Sequence, residues 1–225
     1  MSNVVVAVEV KGLDFTLGKR KILKGLQFQI RKGSVFAVVG HNGAGKTTFF
    51  HILLGIKFQD QGSVDIFGQS NSDWRARSKI GYVLERPYLN LDQELGQLLK
   101  YHAKLSGIPY TNADLAHAAE QVGLLGHLDQ NLSTFSKGML QKALLAQASL
   151  GDPEMLVLDE PMSGLDPVSR EIEKVQIQKW RDMGKTIIFS SHVMEDVEQL
   201  ADDVLILEAG EMKFCGPVQE WRASR

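Results

Sequence analysis

The 225-residue sequence has one cysteine, Cys215, so no disulfide can form within the chain. That suits a reducing compartment. It also lacks a dominant charge: 25 Lys and Arg stand against 27 Asp and Glu, for a net charge of −2. A general nucleic-acid binder would be strongly basic, so no nucleic-acid partner is expected. No apolar run approaches the ~20 residues that a bilayer span needs. The opening MSNVVVAVEVKG has no basic stretch and breaks at Glu9, so no signal peptide is expected either. Repeats, low-complexity linkers and heptad runs are also missing.

What is present is ordinary globular material, 44% hydrophobic and 23% charged, enough to build a proper core. Residues 4–10, 13–17 and 26–30 read as strands. Residues 35–39 form a short continuous apolar run, the pattern of a buried strand. Further strands are expected at 63–67 and 80–84. From about 86 to 150 the spacing turns helical, in QELGQLLKYHAKL, ADLAHAAEQV and GMLQKALLAQASL. Strand-like runs return at 155–158, 186–190 and 203–208, with helical VSREIEKVQIQKWRDM between the first two. The expectation is one α/β domain over 1–225 with a helical lobe inserted at about 86–150.

Residues 40–47, GHNGAGKT, match the pattern G-x-x-x-x-G-K-[ST], with an apolar strand before and a helix after. The glycines let backbone amides close around phosphate oxygens. Lys46 can reach the β and γ phosphates, and the Thr47 hydroxyl can ligate Mg²⁺. Residues 155–161, MLVLDEP, read as a buried strand delivering two carboxylates to its C-terminal end. Asp159 would hold the metal through water, and Glu160 would polarise an attacking water.

A third stretch, FSKGMLQKALLAQA at 135–148, reads as a helix with Ser136 as its N-cap. Its first turn holds Lys137, disfavoured there by the helix dipole by about 0.3–1 kcal/mol. Gly138 follows, which costs up to about 1 kcal/mol relative to Ala. Two accounts fit: a tightly packed glycine beside a solvated lysine, or an anion docking on bare amides.

Together these residues resemble the nucleotide-binding subunit of ABC transporters, over almost the whole chain. GHNGAGKTT is similar to Walker A, LVLDEP to Walker B, and SGLDP at 163–167 to the D-loop. SSH at 190–192 resembles the switch-histidine segment, and FSKGMLQ occupies the place of the family signature. The order and spacing of these motifs match the family.

The resemblance implies a P-loop α/β core with an N-terminal antiparallel β subdomain and an inserted helical subdomain. It implies ATP and Mg²⁺ as ligands and hydrolysis of ATP to ADP and phosphate. Gly40, His41, Asn42, Gly43, Ala44, Gly45, Lys46, Thr47 and Thr48 would surround the phosphates. Thr47, Asp159 and Glu85 would serve the metal; Glu160, Lys46 and His192 would be catalytic, His192 sensing the γ-phosphate. Two subunits, a homodimer in this expectation, would pair head to tail. Ser136, Lys137, Gly138 and Met139 would then complete the partner's site, and Asp166 would couple the two sites. With ATP docked, the anion account of Lys137 applies, because the nucleotide reverses the local field.

The sequence departs from the family pattern at two places. Leu17 stands where an aromatic residue usually stacks on adenine; Phe15 is two residues away, and a core role suits it better. Glu85 replaces the family's glutamine and cannot donate the bonds that an amide can. Glu85 and the SKGM signature resemble the exporter branch that handles drugs, lipids or polysaccharides. Transport would require a separate integral membrane subunit docking near residues 85–100, with this chain peripheral on the cytoplasmic face. The alternative is a soluble ABC ATPase acting on ribosomes or DNA. Such proteins usually carry two cassettes or a long coiled-coil insertion. A GTPase reading lacks the N-K-x-D motif.

Overall fold

The computed structural model describes residues 5–85 and 89–223. The chain opens with two 12-residue strands, β1 (Val6–Leu17) and β2 (Arg20–Arg31), paired antiparallel. β4 (Gln61–Ile66) pairs with the other edge of β1, and the two-residue β5 (Gln69–Ser70) pairs with β4. The result is a four-stranded antiparallel sheet in the order β2-β1-β4-β5. Its residues alternate as a one-face-buried sheet requires: Leu26, Phe28 and Ile30 point inward while Gln27, Gln29 and Arg31 face water. The sequence suggests two strands across 4–17; the structure has one. Its register shifts between Val10 and Leu13, beside Gly12, so a bulge breaks the alternation without ending the strand.

The second sheet is the core of the molecule. β3 (Val35–Val39), β6 (Ile80–Val83), β7 (Met155–Leu158), β8 (Thr186–Ser191) and β9 (Asp203–Glu208) run parallel to one another. β10 (Glu211–Pro217) folds back antiparallel against β9 at the edge. The order is β10-β9-β3-β8-β7-β6. Every residue of β3, β7 and β8 is buried. Alternate residues feed two different cores. Val35, Ala37 and Val39 join the core under the helices, whereas Phe36 and Val38 join the core shared with the small sheet. Both faces are therefore covered, which is why these strands read as unbroken apolar runs.

Helix α1 (Lys46–Leu53) follows β3, and the short α2 (Trp74–Arg77) precedes β6. The expected helical lobe is present as α3 (Leu95–Leu105), α4 (Asn112–Gln121) and α5 (Lys137–Ser149). Their buried faces, Leu95, Leu98 and Leu99 on α3 and Ala143, Leu144 and Leu145 on α5, pack into the helical-side core. α6 (Pro167–Asp182) and α7 (Met194–Leu200) join β7 to β9 through β8, and α8 (Val218–Ala223) closes the described chain. β5, α2, α7, β10 and α8 are additions to the elements read from sequence. Each is short or mixed in character, with too few turns or alternations for periodicity to show. Among the described residues no helix is long and apolar enough to cross a membrane.

Candidate functional site

Topology gathers the site. β3, β8 and β7 are parallel neighbours, so their C-terminal ends lie side by side. In parallel α/β sheets this edge is where ligands bind. The turn at 40–45 leaves β3, Asp159 and Glu160 leave β7, and Ser190 to His192 end β8.

The turn after β3 is held from behind. Ala44 N donates to His41 O at 3.0 Å, and Gly210 N, from the β9–β10 turn, donates to Ala44 O at 3.0 Å. Gly45 sits at φ +114°, and a Cβ there would lie 2.6 Å from Leu23 Cδ2, so only glycine fits. Lys46, the first residue of α1, is buried. Its Nζ donates to Gly40 O at 2.7 Å and stands 3.5 Å from Glu160 Oε1. A cleft of about 490 Å³ opens above, lined by residues that include Gly43, Lys46, Thr47 and Thr48.

The carboxylate pair is wired through β8. Leu158 stands opposite Phe189, which places Asp159 beside Ser190. Ser190 Oγ donates to Asp159 Oδ1 at 2.5 Å and accepts from Glu160 N at 2.7 Å. Glu160 adopts φ +49°, left-handed for a residue with a side chain, at a cost of about 1–2 kcal/mol. The turn brings its carboxylate into the cleft: Oε2 lies 2.9 Å from His192 Nδ1, and Oε1 faces Lys46. A base held between a cation and an imidazole at the mouth of a phosphate-sized cradle can orient a water molecule there.

Asp159 is 1% exposed, yet its Oδ2 has no hydrogen-bond partner among the described residues. A buried carboxylate oxygen left unmade costs about 1–3 kcal/mol or more, and such an orphan marks a place for a cation or its water. This fits Mg²⁺. Thr47 and Glu85 line the cleft, and Glu85 and Asp159 line an adjoining hollow. Among the described residues, no three His, Cys, Asp or Glu side chains gather into a metal cage. An ion here would take most of its ligands from phosphate and water, which is how Mg²⁺ usually binds.

The signature stretch lies beside the cleft rather than in it: Lys137, Leu140 and Gln141 line the adjoining hollow together with Asp159 and Glu160. Ser136 caps α5 as expected, its Oγ accepting from Met139 N at 3.2 Å. That amide is therefore already engaged, which corrects the expectation that no side chain shields the first turn. Gly138 packs near Ser169, with a Cβ there meeting Ser169 Oγ at 3.0 Å, so tight packing is part of its explanation. The Lys137 ammonium fills the space that a side chain at Gly164 would need, so it lies along its own D-loop. Asp166 caps α6, accepting from Val168 N and Ser169 N at 3.0 Å each. The Ser169 hydroxyl, 2.6 Å away, leads these bonds in holding the Asp166 carboxyl below its ordinary range. Ser136, Lys137, Gly138, Met139 and Asp166 do not line the cleft that holds His41, Asn42, Gly43, Gly45, Lys46, Thr47, Thr48, Glu85, Glu160 and His192, nor do Gly40, the buried Ala44 or Asp159.

Phe15 is a core residue, 8% exposed, with Lys57 Nζ 5.4 Å from its ring centroid. Leu17 is 58% exposed, and neither lines the cleft. Arg20 and Ile22, on β2, do line it and carried no sequence signal. Ser163 also faces the cleft, and Ser190 bridges the two carboxylate residues. Ser163 opens the SGLDP segment and Ser190 the SSH segment, but neither carries a signal of its own in the sequence.

The chain matches the ABC transporter family over residues 23–163. It is 36% identical over 208 residues to an uncharacterized ABC transporter ATP-binding protein of Nostoc sp., covering 90% of this chain and 62% of that one. It is 32% identical over 213 residues to the linearmycin resistance ATP-binding protein LnrL of Bacillus subtilis, covering 93% and 68%. A Nod factor export ATP-binding protein of Ralstonia nicotianae is 31% identical over 207 residues, covering 90% and 64%. The chain thus spans about two thirds of the length of these relatives. Among solved structures it superimposes on an ATP-binding subunit of an ABC transporter with a TM-score of 0.85 at 27% identity, covering 97% of this chain and 92% of that one. Family, fold and the residues of the cleft agree, and the chain belongs to the ABC transporter family as one of its ATP-binding proteins.

Proposed function

We propose that the chain binds and hydrolyses ATP as the energy-coupling subunit of a transporter that exports its cargo. The observation that carries this reading is the Glu160 carboxylate, fixed between Lys46 and His192 at the mouth of the phosphate cradle. Lys46 and the amides of residues 43–48 hold the phosphates. As the γ-phosphate enters, the Lys46 ammonium exchanges Gly40 O and Glu160 for phosphate oxygens. Glu160 is then released to accept a hydrogen bond from water aligned with the γ-phosphorus. His192 keeps the carboxylate oriented and reads the presence of the γ-phosphate. Mg²⁺ bound at Thr47, Asp159 and Glu85 would supply charge neutralisation for the phosphates. The products are ADP and phosphate.

In this reading two copies pair head to tail, and the first turn of α5 meets the γ-phosphate held by the other copy. ATP closes the pair and hydrolysis reopens it. A separate membrane subunit docks near residues 85–100, placing the chain on the cytoplasmic face; residues 86–88 of that stretch lie outside the described residues. Export is supported by Glu85, by the SKGM signature, and by relatives named for linearmycin resistance and Nod factor export.

The test is a pull-down of tagged Glu160→Gln chain from detergent-solubilised membranes of its native host, with and without ATP. A stoichiometric integral membrane protein is expected. A ribosomal, DNA-bound or wholly soluble partner would leave the ATP chemistry standing and remove transport.

A further inference from the structure

The cleft has two walls of different origin. The cradle after β3 and the residues that follow β6, β7 and β8 (Glu85, Glu160, Ser163 and His192) make one. The other comes from the small sheet, through Arg20 and Ile22 of β2. Two positions apart on one strand, these side chains share a face.

β2 is fastened to the cradle at residues 22–24. A Cβ at Gly45 would meet Leu23 Cδ2 at 2.6 Å and Ile22 O at 3.4 Å, and one at Gly210 would run into Ile22 O. Lys24 N donates to Gly210 O at 2.9 Å. Arg20 lies two residues further out along the strand, about 6–7 Å at the usual rise. It adjoins the Gly18–Lys19 turn that closes the hairpin, away from Gly45.

Arg20 is also uncommitted. β2 carries four cations, and three are paired: Lys21 with Asp14 at 2.8 Å, Lys24 with Glu211 at 3.1 Å and Arg31 with Asp203 at 2.8 Å. Arg20 is exposed and has no ion pair or side-chain hydrogen bond among the described residues. Its cross-strand partner is Leu17. Directly opposed residues of an antiparallel pair stand on the same face. The position that offers no ring to a base therefore has a planar cation as its neighbour.

We infer that the Arg20 guanidinium lies flat against the base of the bound nucleotide, with Ile22 in apolar contact beside it. The inference rests on the nucleotide binding proposed above. Lys46 and the amides of 43–48 serve the phosphates, and Glu160 and His192 claim the γ-phosphate end. The base then leaves by the wall that carries none of these, which is β2. A guanidinium is planar and weakly hydrated, and it stacks on aromatic faces; an ammonium has the charge without the plane.

The test is calorimetric titration of the full chain with ADP and, separately, with inorganic pyrophosphate. ADP has no γ-phosphate to hydrolyse or to close a pair. Arg20→Ala should weaken ADP about tenfold. It should leave pyrophosphate within about twofold, which also reports a folded cradle. Arg20→Lys should lose nearly as much ADP affinity as alanine, whereas Arg20→Tyr, a plane without the charge, should stay within about threefold of the natural chain. Equal weakening of ADP and pyrophosphate in Arg20→Ala would assign Arg20 to the phosphates. Full ADP affinity in Arg20→Lys would assign the effect to charge. Either result overturns the inference, as does unchanged ADP affinity in Arg20→Ala or a tyrosine variant no better than alanine. A natural chain that binds neither ligand would overturn the nucleotide reading itself, and this inference with it.

Discussion

The strand-end cradle and the α5–α6 side of the molecule solve the same problem, placing charge inside protein, in different ways. At the cradle nearly every polar group is tied to another. Lys46 lies on Gly40 O and Glu160, Glu160 on His192 and Ser190, and Ser190 on Asp159. On the α5–α6 side the Lys137 ammonium lies along Gly164, and Glu173 keeps one oxygen without a partner among the described residues. Each region leaves one buried carboxylate oxygen without a partner among the described residues, Asp159 Oδ2 at the cradle and Glu173 Oε1 on α6, so the difference lies in how the groups around it are tied. The cradle is preorganised by three adjacent strands, so it can cost little to use.

The sharpest break in the comparison is Glu160→Gln. The amide keeps the shape and removes the base, so phosphate release should fall at least about a hundredfold. ATP binding should persist, and gel filtration with ATP should show the paired form; near-normal turnover would remove the role given to Glu160. Next comes Ser190→Ala, which unties the serine that serves both carboxylate residues. It should cost about 1–3 kcal/mol of stability in urea unfolding and lower turnover together with it. A neutral outcome would mean that the cradle is less interdependent than its bonds imply.

Two smaller effects belong to the α5–α6 side. Glu173 binds its proton up to about pH 8 in the folded chain but only up to about 4.5 when unfolded. The folded state therefore holds more protons between those values, and stability falls as pH rises through that window, by at most about 1.4 kcal/mol per unit. Glu173→Gln should flatten this slope in urea midpoints taken at pH 5, 6.5 and 8; an unchanged slope would place the titration elsewhere. Last, Lys137→Glu should weaken ATP-driven pairing by about tenfold, or 1.4 kcal/mol, with nucleotide affinity of the separate chain unaltered. Equal losses in the two measurements would assign Lys137 to the cradle instead.

Much of the cradle is legible in the sequence because its chemistry is local. The 40–47 turn, the two carboxylates after MLVL and the histidine after TIIFSS are each adjacent to an apolar run that marks a buried strand. The helical lobe is legible because α3, α4 and α5 each span several turns. What the sequence hides depends on register and packing. Ser190 acquires its double role only when β7 and β8 align. Arg20 and Ile22 reach the cleft only because the small sheet folds over it. Glu173 reads as a solvent-facing residue of a polar helix, and nothing before folding reveals that α6 turns it inward. The direction taken by Lys137 is a rotamer choice, invisible to spacing.

The strand order has a consequence for synthesis. β3 and β7 never touch; β8, Thr186–Ser191, lies between them and pairs with both. Thr186, the first residue of β8, comes 147 positions after Val39, the last of β3, so a ribosome reaches β8 long after it has made β3. Until then β3, whose neighbours β8 and β9 both come late, presents open edges to every neighbouring nascent chain, the situation in which wrong pairing and aggregation compete with folding. The strand that closes the sheet is also the strand that delivers Ser190 and His192. Completion of the central sheet and of the ATP site are thus bound to one event, and a destabilising change in the six residues of β8 should show first as lost yield of soluble protein, before any defect in turnover.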